Sequence, residues 1–102
     1  MSGDSPEKMG RQSAAWNVWS RTEIQKRLAQ HARGIDRADE ALLREAYHVD
    51  GTVDYGSLQG TAAEFASAIA AMHDGAPMSS HRTSNVWVRV RGELAVSESY
   101  VM

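Results

Sequence analysis

The chain changes its hydrophobic period once, at Pro77. Before that proline apolar residues recur at helical steps; after it they alternate. Helices first and strands last is an α+β pattern.

Ile24, Leu28, His31, Ala32 and Ile35 form one stripe on a helix predicted over 20–35. Ser20 and Glu23 have capping-box spacing at its start, and Gly34 is expected to weaken its last turn. Asp36 closes the stripe. A carboxylate in that place is costly unless paired, so Asp36 is expected to point into a cavity and meet a histidine from elsewhere.

Residues 1–15 are small, polar and charged and read as a disordered tail, leaving 16–102 as the one domain. Trp16 and Trp19 either start the helix early, cover its entrance or dock as an arm. Asp39 is placed to cap a short second helix over 41–47. A strand over 52–55 follows, then a turn over 56–60. Thr61 and Glu64 make a second capping box, and Phe65, Ile69 and Met72 share a face of a third helix. It is expected to end near His73, with Gly75 and Pro77 as stop signals. From His81 to Val90 the alternation puts Val86, Val88 and Val90 on one face and His81, Thr83, Asn85 and Trp87 on the other. Arg91-Gly92 reads as a hairpin connection, and Leu94 to Met102 as the returning strand. Two long strands and a short one leave a bare edge. Either a second chain completes the sheet or the sequence is part of a longer protein; the second is the expectation.

The 102 residues contain no cysteine, so disulfides, thiolate metal sites and cysteine nucleophiles are excluded. A net charge of −2 offers no basic field for nucleic acid or an anionic membrane. No apolar run approaches a membrane span, and the N-terminus lacks a signal-peptide core. A cytoplasmic location is expected. His48, Asp50 and Asp54 fall loosely in a turn, and no metal site is expected there. The scattered glycines make no phosphate loop.

Five segments together resemble the SnoaL-like branch of the NTF2-like superfamily. They are Ile35-Asp36-Arg37-Ala38-Asp39 before Ala41-Leu42-Leu43, Val53 to Gly60, Ala62 to Phe65, Ser80 to Val88, and Arg91 to Tyr100. That branch includes scytalone dehydratase, bile acid 7α-dehydratase and polyketide cyclases. The resemblance implies a cystatin-like cone: a curved antiparallel sheet wrapped around a long N-terminal helix over an apolar cavity. Such a cone has about two more C-terminal strands than this chain supplies. It also implies homodimers or homotrimers built through the sheet.

By the same resemblance Asp36 stands where the dehydratases hold a catalytic aspartate, His81 where they hold the general base, and Tyr55 where a tyrosine polarises the substrate carbonyl. Chemistry agrees for the pair. A carboxylate on one ring nitrogen fixes the tautomer and leaves the other nitrogen basic near neutral pH. His31 stands where relatives carry a tyrosine; it either replaces that phenol or is a satisfied core group. Asn85 either bonds substrate or ties the sheet, and Trp87 is either pocket wall or packing. The implied activity is a cofactor-free lyase or isomerase acting beside a carbonyl in a small hydrophobic, polycyclic, aromatic or steroid-like substrate. The competing reading is a non-catalytic ligand-binding or dimerisation module, including a structural role like that of a ring-hydroxylating dioxygenase β subunit.

Overall fold

The computed structural model describes Gly10, residues 13–72 and residues 80–102. In chain order the elements are α1 (Ala14–Asp36), α2 (Glu40–Glu45), β1 (Thr52–Asp54), β2 (Gln59–Thr61), α3 (Ala62–Met72), β3 (Thr83–Arg91) and β4 (Leu94–Val101). The fold is α+β, with a long N-terminal helix and small antiparallel sheets.

Helix α1 starts six residues before the expected position. Ser13 is its cap, accepting the amide of Trp16. Ser20 is therefore buried in mid-helix, and Glu23 pairs with Lys26 at 3.0 Å instead of closing a capping box. Both tryptophans belong to the helix, and their rings stack 5.4 Å apart. Trp16 is buried, and its indole N–H donates to the Gly92 carbonyl at 2.7 Å. The early start thus ties the helix entrance to the hairpin of β3 and β4.

The far end of α1 closes with Ala38 at φ 52. The amide of Ala38 donates to Ile35 at 3.1 Å, and that of Asp39 donates to Gly34 at 2.9 Å. These are the paired bonds of a Schellman motif, with alanine in the place usually held by glycine. Asp39 also caps α2, accepting from Leu42 at 3.0 Å. Gly34 is more than a weak point in the last turn. It is buried, and a Cβ there would lie 3.0 Å from the backbone N, Cα and Cβ of Leu43. The missing side chain lets α2 approach closely.

A small core joins Leu43, Phe65, Ala66 and Ile69, with Ile35, Tyr47, Val53 and Leu58 packed against it. Phe65 and Ile69 face inward as their spacing indicates, but Met72, at 68% exposure, does not. Ala62 and Ala66 supply the rest of the buried face of α3. Its start is the expected box: Thr61 accepts from the Glu64 amide at 3.1 Å and Glu64 accepts from the Thr61 amide at 2.9 Å. The Thr61 backbone amide, and then the Thr61 hydroxyl, bond the Glu64 carboxyl and hold it below its ordinary pKa. The expected stops at His73, Gly75 and Pro77 lie outside the described residues.

The expected curved sheet is present as two separate ribbons, β1 with β2 and β3 with β4. The first is three pairs long, from Thr52↔Thr61 to Asp54↔Gln59. The expected turn over 56–60 therefore ends earlier, since Gln59 and Gly60 are already in β2. In the second ribbon Arg91 pairs with Leu94, so the connection is Gly92-Glu93, with Gly92 at φ 60.

A bulge interrupts β3. Ser84 pairs with Tyr100 and Trp87 with Glu98, so Asn85 and Val86 together oppose Ser99. Asn85 has φ 52. One extra residue reverses the alternation. His81 and Thr83, expected opposite the valines, thereby come to the same side as Val86, Val88 and Val90. Val88 is buried there, and α1 packs against β3.

Candidate active site

Asp36 and His81 meet. One carboxylate oxygen accepts the His81 backbone amide at 2.9 Å, and the other bonds ring Nδ1 of the same residue. The two partners are 45 positions apart in sequence. Asp36 is the last residue of α1, at the negative end of the helix dipole. The two bonds from His81 offset that unfavourable placement, and they work because the bulge turns residue 81 toward the helix. With an ionised carboxylate on Nδ1, that nitrogen carries the proton and Nε2 is left as the basic atom.

The surroundings differ from the apolar cavity expected. The pair lines an open groove of about 440 Å³ with Ala29, Ala32, Arg33, Arg37, Ser80 and Thr83. Its side chains keep 16% (Asp36) and 33% (His81) of their surface exposed. Four of those six neighbours are charged or hydroxylic.

Tyr55 lies in a second, more apolar groove of about 470 Å³, lined also by Ile24, Leu28, His31 and Tyr47. Its ring stacks on Phe65 at 5.1 Å, and 57% of the residue is exposed. His31 lines this second groove. Its Nε2 meets the Tyr47 hydroxyl at 2.6 Å, and its ring lies parallel to Phe65 at 6.1 Å. Burial, and then repulsion from His81, holds the His31 imidazole below its ordinary pKa. Burial first, and then the adjacent Tyr55 hydroxyl, holds the Tyr47 phenol above its own. Both shifts favour the neutral forms, so a neutral imidazole and a neutral phenol share this hydrogen bond. His31 thus has its Nε2 committed inside the chain, which is the satisfied core histidine among the two expectations.

Tyr47 is the residue the sequence reading passed over. It was legible only as the end of a short helix. The signal was present in its spacing: Tyr47 follows a helical turn that Gly34 allows to sit close to α1. Asn85 and Trp87 are not with the pair. They line a separate groove with Ser97, Glu98, Ser99 and Tyr100. The bulge explains this: the residue that restores His81 to the helix side leaves Trp87 on the outer face.

Among the described residues no group of three or more His, Asp or Glu is placed to hold a metal ion. Among them also, no helix is long and apolar enough to cross a membrane.

No curated protein and no solved structure matches the chain. A family model described as a SnoaL-like domain matches residues 16–102.

Proposed function

We propose, from the premise that the chain belongs to the SnoaL-like family of the NTF2-like superfamily, that it is a cofactor-free lyase or isomerase using His81 as base. The observation that supports this most is the double bond of the Asp36 carboxylate to His81, through the backbone amide and Nδ1.

In this reading Nε2 of His81 takes a proton from the carbon next to a substrate carbonyl. The C–H electron pair moves to the carbonyl as an enolate. Asp36 stabilises the imidazolium that forms. The enolate then re-forms its carbonyl and expels a β-hydroxyl, which leaves as water with the proton from His81. The net result is one C=C bond and one water. Return of the proton to a different carbon gives isomerisation instead. Tyr55 donates to the enolate oxygen, stabilising charge where it develops. Because Tyr55 and His81 line different grooves, the substrate has to be long enough to lie across His31, which suits a flat polycyclic molecule.

His81→Ala is expected to abolish turnover of a true substrate and to leave ligand binding within about twofold. Full activity in that variant removes the base assignment.

The open, partly polar groove around the pair favours a second reading, a ligand-binding module without chemistry. In that case His81→Ala alters affinity, and no β-hydroxy carbonyl compound is turned over by the unaltered protein. Either way the family reading carries a homodimer or homotrimer through the sheet. Leu94 and Tyr100, 78% and 67% exposed, support it together with Trp87 and Val96 on the outer face of the ribbon. Light scattering at the monomer mass of 11.2 kDa would remove that part.

A further inference from the structure

The groove beside Asp36 and His81 holds two positive side chains that the mechanism above does not use. Arg33 stands in the last turn of α1, and Arg37 follows the helix as its cap residue. They are four apart, so both reach the same side of the helix end. Ser80 and Thr83 add hydroxyls to the same groove. Among the described residues its single carboxylate is Asp36, which His81 engages through both oxygens. Among the described residues no ion pair reaches Arg33 or Arg37. Two guanidinium groups therefore face one committed carboxylate, in a chain whose net charge is −2.

We propose that this groove selects anionic ligands, a carboxylate-bearing molecule being held by Arg33 and Arg37 beside His81. A guanidinium presents paired N–H donors that match a carboxylate, and it stays charged at any working pH. The volume, about 440 Å³, takes the carboxylate-bearing end of such a molecule, one or two rings of it. The same two charges favour the enolate, so the selection and the chemistry point in one direction. The proposal names the substrate class for the site described above. It rests on that reading for its catalytic meaning only, since binding of the anion does not require turnover.

The test compares 2-naphthoate with its uncharged analogue 2-naphthamide on the full chain, followed by amide chemical shifts. Naphthoate is expected to move the amides of Arg37, His81 and Thr83 and to bind roughly fivefold or more tightly than the amide. Added salt narrows that gap. The Arg33→Gln, Arg37→Gln double variant is expected to bring naphthoate to the affinity of naphthamide and to leave naphthamide unchanged. Both positions are exposed, so the variant keeps its fold, which the unperturbed spectrum elsewhere verifies. Equal affinity of the two ligands, no binding of naphthoate, a preference that survives the double variant, or shifts confined to the neighbourhood of Tyr47 and Tyr55 each overturn the proposal. His81→Ala separates the two ideas. A preference kept in that variant, with turnover also kept, removes the base and leaves the anion site standing.

Discussion

Helix α1 has a glycine in its last turn and an alanine just past its cap, and exchanging the second is a sharp test of the fold that positions Asp36. Ala38 occupies the left-handed region at φ 52, where an L side chain crowds the following carbonyl. That conformation costs an alanine about 1–2 kcal/mol. Glycine escapes it, but loses about 0.4–1 kcal/mol through its freer unfolded chain. Ala38→Gly should therefore stabilise the protein by about 0.5–1 kcal/mol. For a domain of this size that raises Tm by about 2–8 °C. The two bonds that close the helix, Ala38 to Ile35 and Asp39 to Gly34, are backbone bonds and remain. Asp36 consequently stays in reach of His81. The assay is thermal unfolding by circular dichroism, repeated in urea to give the free energy directly. An unchanged or lowered Tm with unaltered cooperativity would show that the strain assigned to Ala38 is not there.

Gly34→Ala should move stability in the opposite direction. The gain in helix propensity, about 1 kcal/mol, meets an overpacking cost of about 1–3 kcal/mol, because the new methyl lies 3.0 Å from backbone atoms of Leu43 that cannot rotate away. A Gly34→Ala variant more stable than the parent in urea would refute the close approach. Tyr47→Phe removes the partner of His31 Nε2 at 2.6 Å and should cost about 1–2 kcal/mol in the half-buried setting, measured by the same urea curves; no loss would mean that this hydrogen bond contributes nothing to stability. His31 is neutral in the folded state below the pH at which the unfolded residue protonates, its folded pKa being lowered from 6.5. Its contribution is thus complete above pH 6.5 and falls as the pH drops through that value, because the unfolded chain then binds the proton more readily. An NMR titration of the His31 ring with a midpoint at or above 6.5 would contradict this.

The readable part of the chain was the part governed by local chemistry. The Thr61–Glu64 box forms as its spacing implies, and Asp39 caps α2 through its side chain. The stripe from Ile24 to Ile35 faces the body of the protein, each member half-buried. Ser20 and Glu23 misled because the same spacing occurs inside a helix, where Ser13 had already supplied the cap. The role of Gly34 depends on how near Leu43 comes, and propensity carries no information about that distance. In β3 a strict count of two puts His81 on the face opposite Val86, Val88 and Val90. Nothing in the letters Ser84-Asn85-Val86 marks an added residue except an asparagine, which tolerates positive φ better than most. The two grooves, one at Asp36 and His81 and one at His31 and Tyr55, were also not legible, since they depend on how two ribbons and three helices stack.

The interruption at Asn85 has a consequence for how this chain tolerates change. Removing Asn85 would leave Val88 its partner Ser97 and Val90 its partner Ala95 on β4. The imidazole at the strand's beginning would nonetheless rotate outward, away from the acid that now holds it. Here the number of links in a short stretch of backbone decides whether Asp36 and His81 meet.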